Sequence, residues 1–254
     1  MKITFLGTGT SQGVPLIACR CNVCLSDDAR DKRLRTSIMI EDEGVTIVID
    51  SGPDFRQQML RYNVCSLDGL LFTHGHKDHT AGMDDVRAFN YIQNKTIDVY
   101  AAIPTQTTLK REFQYIFDGT EYPGIPRINL NTISANEPFS IGHLNIVPFE
   151  VIHHKMPVLG FRIKNFTYIT DANHIPEYSR KMILNSEILV LNALRKEAHI
   201  SHFTLAQAIA ESTQAKAHKT YLTHISHQLG PHSQVQQELP DDIFLAYDGL
   251  TITL

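Results

Sequence analysis

The sequence has no excess of basic residues, no long apolar run, no low-complexity tract and few cysteines. Each shortage removes a class of function. Its 23 Lys and Arg stand against 27 Asp and Glu, a formal net charge of −4. Coating nucleic acid takes many Lys and Arg contacts to phosphate, so a nucleic-acid partner is not expected. No window approaches the roughly 20 apolar residues of a membrane span. The opening Met1–Thr10 is one short strand running into glycines, without a cleavage signature. A cytoplasmic protein with no membrane partner is therefore expected. Repeats and Pro/Ser-rich linkers are absent too. With 254 residues, 43% hydrophobic and 20% charged, the chain suits one domain over 1–254 with a sizeable core. The glycine-rich opening Gly7-Thr8-Gly9-Thr10-Ser11-Gln12-Gly13 carries neither G-x-x-x-x-G-K-[ST] nor G-x-G-x-x-G, so it is not a nucleotide loop. Tight turning accounts for its glycines.

What is present is a succession of short apolar runs between turn residues. Strands are predicted at 2–6, 37–40, 45–50, 69–72, 98–101, 144–151, 160–163, 166–170, 188–192, 220–223, 244–246 and 251–254, each short, β-branched and bounded by Gly, Pro, Asn or Asp. Helical spacing is clearest from Thr204 to about Gln214, where Leu205 and Ile209 share a face and Thr204 is an N-cap candidate. Residues 54–62, 82–90, 105–116 and 175–184 are further helix candidates. The mixture predicts an α/β (α+β) protein with two packed sheets and helices outside.

Thirteen histidines are present, and their spacing carries the functional signal. The apolar run Leu70-Leu71-Phe72 ends in Thr73-His74-Gly75-His76-Lys77-Asp78-His79. His74 and His76 lie two apart and face the same way on an extended chain. Asp78 and His79 follow where the chain turns toward a helix, so one segment can serve two neighbouring metals. Three histidines and an aspartate in six residues after a strand are a poor fit to packing or to a solvated loop.

This H-x-H-x-D-H segment after a strand resembles the signature of the metallo-β-lactamase superfamily, which implies an αββα sandwich with a two-metal site at one edge. Other landmarks of that superfamily follow in order. Asp50-Ser51-Gly52 is similar to its aspartate-x-glycine turn, His154 to the third histidine of metal one, Asp171 to the bridging carboxylate and His224 to the last ligand of metal two. The resemblance implies His74, His76 and His154 on metal one, Asp78, His79 and His224 on metal two, and Asp171 between them. His153 competes with His154; the spacing to the Gly160-Phe161 strand matches that of the relatives better for His154, so the resemblance favours His154. Paired metals about 3.5–4 Å apart can hold a bridging hydroxide and clamp the attacking and leaving oxygens. Two divalent cations, two aspartates and a hydroxide sum to about +1, which favours an anionic substrate. Imidazole and carboxylate ligands suit zinc and manganese alike.

Cys19-Arg20-Cys21-Asn22-Val23-Cys24 has the form C-x-C-x-x-C. Three thiolates so spaced can close on one tetrahedral Zn²⁺ if a fourth ligand arrives. Arg20 and Asn22 make the segment too polar for a core strand. Cys65 stands alone and is expected to be a half-buried, inert thiol. His227, three residues after His224, is the better fourth ligand. The glycine-rich opening, the cysteine cluster and Thr223-His224-Ile225-Ser226-His227-Gln228 together resemble the phosphoribosyl 1,2-cyclic phosphate phosphodiesterases. In those the last segment supplies both a catalytic and a structural zinc ligand.

That resemblance also implies a proton donor at His202, just before the helix at Thr204. A leaving alkoxide needs a proton, and imidazole can give one. With Asp78 and Asp171 it completes the catalytic set. His143, His174, His199, His218 and His232 lack ligand spacing and are read as surface or hydrogen-bonded residues. Asp84, Asp85, Arg87 and Asn90 follow the motif and fit a solvated helix face as well as a pocket wall. The substrate expected is a small phosphodiester, with a cyclic ribose phosphate implied by resemblance. The alternatives are a tRNA 3′-processing nuclease, a lactone or ester hydrolase, and a non-catalytic member resembling the pyrroloquinoline-quinone biosynthesis proteins. Only 16 residues separate His154 from Asp171, which leaves no room for a tRNA-gripping arm there. The full ligand set speaks against the non-catalytic reading. Relatives are often dimers, so the resemblance implies a homodimer.

Overall fold

The structure is a computed structural model, described over residues 1–119 and 122–254. Fourteen strands form two seven-stranded sheets among the described residues. The first holds β1 (Lys2–Gly7), β2 (Ser37–Asp42), β3 (Val45–Ile49), β4 (Gly69–Leu71), β5 (Ile97–Ala101) and β6 (Ile128–Thr132). The second holds β7 (Phe139–Ile141), β8 (Leu144–His153), β9 (Met156–Ile163), β10 (Phe166–Tyr168), β11 (Ile188–Asn192), β12 (Lys219–Thr223) and β13 (Ile243–Leu245). β14 (Thr251–Thr253) returns to the first sheet, in the order β14-β1-β2-β3-β4-β5-β6; the second runs β13-β12-β11-β10-β9-β8-β7. Each sheet is antiparallel in one half and parallel in the other.

Alternation along the strands builds the layers. Ile47 and Ile49 face the second sheet and pack in a cluster with Phe161, Ile163, Tyr168 and Val190. Val48, between them, faces outward into a cluster with Phe55, Phe89 and Leu109. That outer layer is made by α1 (Phe55–Arg61), α3 (Arg87–Gln93) and α4 (Ile103–Glu112); α2 (Lys77–Thr80) and α5 (Gln114–Phe117) are single turns beside it. On the far side of the second sheet, α6 (Arg180–Ile183), α7 (Leu205–Ala215) and α8 (His232–Glu238) cover Leu189, Leu191 and Leu222. Thr204 caps α7 with a full capping box: its hydroxyl accepts from Gln207 N–H and Gln207 Oε1 accepts from Thr204 N–H.

The sandwich of two mixed sheets flanked by helices is the one expected. Three local differences have physical causes. β6 and β7 are strands beyond those expected: β6 reads Ile-Asn-Leu-Asn-Thr with no fully buried residue, and β7 has only three residues. The 175–184 segment becomes a 3₁₀ turn at Glu177–Ser179 and one α turn, and 82–90 opens with a 3₁₀ turn at Met83–Val86. β9 starts at Met156, four residues earlier than expected, and this decides the third ligand below. Among the described residues no helix is long and apolar enough to cross a membrane.

Candidate metal centre and active-site cleft

The functional side chains stand where strands end. β3, β10 and β12 each run out into a residue with left-handed backbone: Asp50 (φ 65°), Asp171 (φ 55°) and His224 (φ 54°). Asp and His tolerate this region better than β-branched residues do, at roughly 1–2 kcal/mol each. Each such kink turns the side chain from the sheet face into the end of the sandwich. Gly52 then admits the histidine turn, since a Cβ there would lie 2.1 Å from the Asp78 carbonyl oxygen.

Two quartets of ligand atoms assemble around a shared carboxylate. His74, His76, His153 and Asp171 form one; Asp78, His79, Asp171 and His224 form the other. His154 does not join them, which corrects the expected assignment. Because β9 begins at Met156 and pairs it with His153, the two-residue turn of the hairpin falls on His154 and Lys155. His154 takes φ 58° and points to solvent. His153 ends β8 instead, on the side of buried Phe149 and Val151, with its ring 5.1 Å from that of His76.

The donor set fits divalent metal. His79 Nε2 and His224 Nδ1 are buried and make no hydrogen bond, although they lie 3.4 and 3.0 Å from Asp171 Oδ1. His79 Nε2 is also 3.2 Å from Asp78 Oδ2, and His74 Nε2 is 3.0 Å from His76 Nδ1. Ligands about 2.0–2.1 Å from one ion lie about 2.9 Å apart at right angles and about 3.4 Å apart at tetrahedral angles. The distances span that interval and describe ligands around common centres. Electrostatics agree. Burial disfavours charge on His79, but Asp171, Asp78 and Asp50 outweigh it and hold the imidazole well above its usual range. For Asp171, burial disfavours ionisation, yet His224 and His79 hold the carboxyl well below its own.

Neighbouring groups fix the tautomers. His79 Nδ1–H donates to Asp50 Oδ2 at 2.8 Å and His153 Nδ1–H donates to the Ser201 carbonyl at 2.8 Å, leaving each Nε2 free to ligate. Thr73 links His74 Nδ1 (3.0 Å) to Asp50 (2.9 Å). Asn192, fully buried at the end of β11, clamps Ala172 N–H and C=O at 2.8 and 2.9 Å, directly after Asp171. The sequence reading missed Asn192, Thr73 and Ser201, which carry no ligand chemistry of their own.

Cys19, Cys21, Cys24 and His227 meet in a third cluster. His227 Nδ1 lies 3.4 and 3.3 Å from the Cys19 and Cys21 sulfurs, against about 3.5 Å for tetrahedral zinc with the usual bond lengths. The Cys24 N–H, then His227, pull the Cys21 thiol down to about 6. Cys65 is exposed rather than half-buried and takes no part.

His202 stacks on His224 (ring centroids 4.8 Å apart) and tilts against His153 (4.8 Å). Burial, then His224, push it down to about 3, so it is neutral at pH 7 in the free site. It lines a cavity of about 320 Å³ with Thr10, Ser11, Gln12, Arg195 and His199. His199 is thus a cleft residue, its ring 5.1 Å from that of His202. His143 pairs with Asp42, and His232 Nδ1 accepts from Arg33 Nη2–H at 3.1 Å; neither joins the ligands. Asn90 is structural, holding Lys95 and Arg127 backbone, while Arg87 reaches the Gly124 carbonyl and Asp84 the Tyr115 hydroxyl.

Known proteins share this fold. A crystal structure of a diphosphatase from the PhnP family superposes with TM-score 0.93 at 38% identity, over 100% of this chain and 97% of that one. Zinc-bound PqqB from Methylobacterium extorquens has TM-score 0.82 at 19% identity, over 100% of both chains, a likeness of fold alone. The octanoyltransferase of Porphyromonas gingivalis (strain ATCC BAA-308 / W83) is 37% identical over 252 residues, which are 98% of this chain and 51% of that protein. The chain therefore spans about half the length of that curated relative. A model of the beta-lactamase superfamily domain matches residues 45–225, the stretch from β3 to just past His224. By that match the chain belongs to the beta-lactamase superfamily.

Proposed function

We propose that the chain hydrolyses the P–O bond of a small phosphodiester. The observation that carries this is the pair of ligand quartets sharing Asp171 beside a cleft that holds His202 and Arg195. Divalent ions held there, zinc or manganese, would supply Lewis-acid charge neutralisation and an acidified water. The chain's own groups do the rest. Asp171 and Asp78 set the charge of the cluster, so that an anionic phosphate is favoured once the ions are in place. Arg195, anchored by Gln228 Oε1 at 2.8 Å and the Ala198 carbonyl at 2.9 Å, offers a fixed cation beside the cleft. His202 hands a proton to the departing oxygen; the phosphate's negative charge beside its imidazole opposes the effect of burial. The clustered cysteines serve a structural zinc and hold the loop that carries Thr10 over His224, where Thr10 Oγ1 is 3.4 Å from His224 Nε2.

Hydrolysis of a diphosphate is the second reading, favoured by the similarity to the PhnP-family diphosphatase. Acyl transfer is not carried over from the octanoyltransferase. The chain spans half of that protein, and among the described residues no cysteine enters the site. The short β8–β10 connection, with no arm beyond the hairpin, speaks for a small substrate over tRNA. The test is metal content followed by turnover of a linear aryl phosphodiester, a five-membered cyclic ribose phosphate, a diphosphate diester and a lactone. About three metals per chain with phosphodiester preference supports the proposal; lactone preference, or no turnover at full loading, overturns it.

A further inference from the structure

The metal cluster has a polar cleft on one flank and an apolar chamber on the other. The chamber encloses about 520 Å³ and opens beside His74 and His76. Its walls are Ala102, Pro104, Ala135, Met156, Val158 and Leu159. Leu159 N–H donates to the Thr73 carbonyl at 3.0 Å, which ties this wall of β9 to the residue before the first ligand. α4 closes the other side directly on the ligand loop: a Cβ on Gly75 would lie 3.0 Å from Thr108 Oγ1. The two charged lining residues are engaged elsewhere, Arg111 with Glu112 and Glu150 with the Tyr178 hydroxyl. A polar group entering this space would lose water with few partners to replace it, whereas an apolar group gains by entering. The volume is that of a ligand pocket, well beyond a packing defect.

We propose that this chamber is a subsite for an apolar ester arm. The substrate is then a linear phosphodiester whose phosphate lies at the metal cluster, with a hydrocarbon arm of several carbons in the chamber and a polar alcohol in the Thr10–Arg195 cleft. This rests on the phosphodiester reading above. Because His202 stands on the cleft side, the polar arm leaves. The water oxygen forms the new P–O bond and the P–O bond to the polar alcohol breaks. One water proton ends on that alcohol and the other on the phosphate or solvent. The alkyl phosphate monoester stays seated in the chamber until release.

The experiment uses metal-loaded protein and p-nitrophenyl alkyl phosphates from methyl to octyl. The expected kcat/KM rises about three- to fourfold per methylene until the chamber is filled, the value that burying one methylene predicts. Ala135→Phe, which fills the chamber from its rim, lowers the octyl-to-methyl ratio tenfold or more. Met156→Lys, on a half-exposed hairpin position, does the same by placing charge in the wall. Calorimetry supplies a readout independent of turnover: octyl phosphate binds more tightly than methyl phosphate, and both variants erase the difference. A flat chain-length series with the methyl ester turned over, or an octyl preference that survives both variants, overturns the inference and leaves the phosphodiester reading standing. Octyl phosphate binding that both variants abolish, without hydrolysis of any diester, overturns the phosphodiester reading and leaves the apolar subsite standing.

Discussion

Asp50 touches no metal, yet it orients one ligand in each quartet, so Asp50→Asn tests whether the cluster was understood. Asp50 is fully buried and every neighbour its carboxylate bonds is a donor. Oδ1 accepts from Thr73 N–H at 2.9 Å; Oδ2 accepts from His79 Nδ1–H at 2.8 Å; the Thr73 hydroxyl donates to Oδ2 at 2.9 Å. That hydroxyl in turn accepts from His74 Nδ1–H at 3.0 Å. A carboxylate, acceptor-only, satisfies all three donors, and an amide cannot. With the amide oxygen on Thr73, its NH₂ faces His79 and forces the proton onto Nε2, the ligating nitrogen. With the oxygen on His79, the NH₂ faces the Thr73 N–H and leaves a buried donor unpaired, at about 1–3 kcal/mol. Asparagine also tolerates φ 65°, so the backbone is spared and the side chain alone is tested.

Outer-sphere partners of this kind are worth about 10–100-fold in metal affinity. Asp50→Asn is therefore expected to weaken both active-site ions by that factor, about 1.4–2.7 kcal/mol each. The Cys19/Cys21/Cys24/His227 site should keep its zinc. The assay is metal content by plasma emission spectroscopy after titration with a graded chelator, alongside a thermal melt. Wild-type affinity at both ions would refute the reasoning. So would loss of all three metals together, because that means unfolding rather than misorientation.

The other expectations follow from the same geometry. His153→Ala should cost an active-site ion and at least 100-fold in turnover, while His154→Ala, altering a solvent-exposed turn, should stay within about twofold; equal effects would restore His154. Cys21→Ser should lower metal content by one and the melting temperature by several degrees, checked by emission spectroscopy and calorimetry. His202→Ala should cost about 10²–10⁴-fold with an alkyl leaving group and far less with p-nitrophenolate, which departs without a proton; equal losses would remove the proton role. Asp42 joins the Met1 amine (3.2 Å), His143 Nε2 (3.0 Å) and Lys164 across the sheets, and Lys164, then His143, hold its carboxyl well below the usual range. A depressed carboxyl pKa stabilises the fold fully above the unfolded value of about 3.9, and the contribution is lost as pH falls through the folded value. Asp42→Asn should thus cost about 2 kcal/mol at pH 7, with the difference from wild type shrinking below about pH 4 in urea melts; a difference independent of pH would contradict it.

Much of this was legible in the chain, and the failures are as physical as the successes. That His74, His76, Asp78 and His79 come together could be read because ligand spacing leaves a local mark, and Cys19, Cys21 and Cys24 for the same reason. Strands such as Ile188–Asn192 were legible because both faces are buried, whereas Ile128–Thr132 offers the core only the half-buried Ile128 and Leu130 between two asparagines. Asn192 and Thr73 gave no signal at all: their work is to hold another residue's backbone or tautomer, which needs three dimensions. The third histidine is the instructive case. The relatives' spacing to a distant strand pointed to His154, but the alternation Phe149, Val151, His153 was present in the sequence and gives the residue that joins the quartet once the strand is allowed to run to its end. A ligand at a strand terminus inherits the face of that strand, so periodicity outranks spacing there.

That rule explains why this fold can gather two ligand quartets at the edge of a sandwich whose interior is apolar. Strands that bury Ile49, Tyr168 and Leu222 inside cannot also present ligands along their length. Ligands must come where pairing stops, and the chain must turn abruptly there, which is what the left-handed residues Asp50, Asp171 and His224 do. Their conformational cost, on the order of 1–2 kcal/mol each, falls on residues fixed from both sides. Asp50 N–H is bonded to the Leu71 carbonyl, Ala172 to Asn192, and Ile225 N–H to the Thr8 carbonyl. The last of these places the opening loop, and with it Thr10 and the cysteine cluster, over His224. The cysteine cluster and the histidine quartets are thereby coupled through one short segment, His224 to His227. Loss of the structural zinc should accordingly be felt at His224 before it is felt at His74, at the opposite end of the cluster.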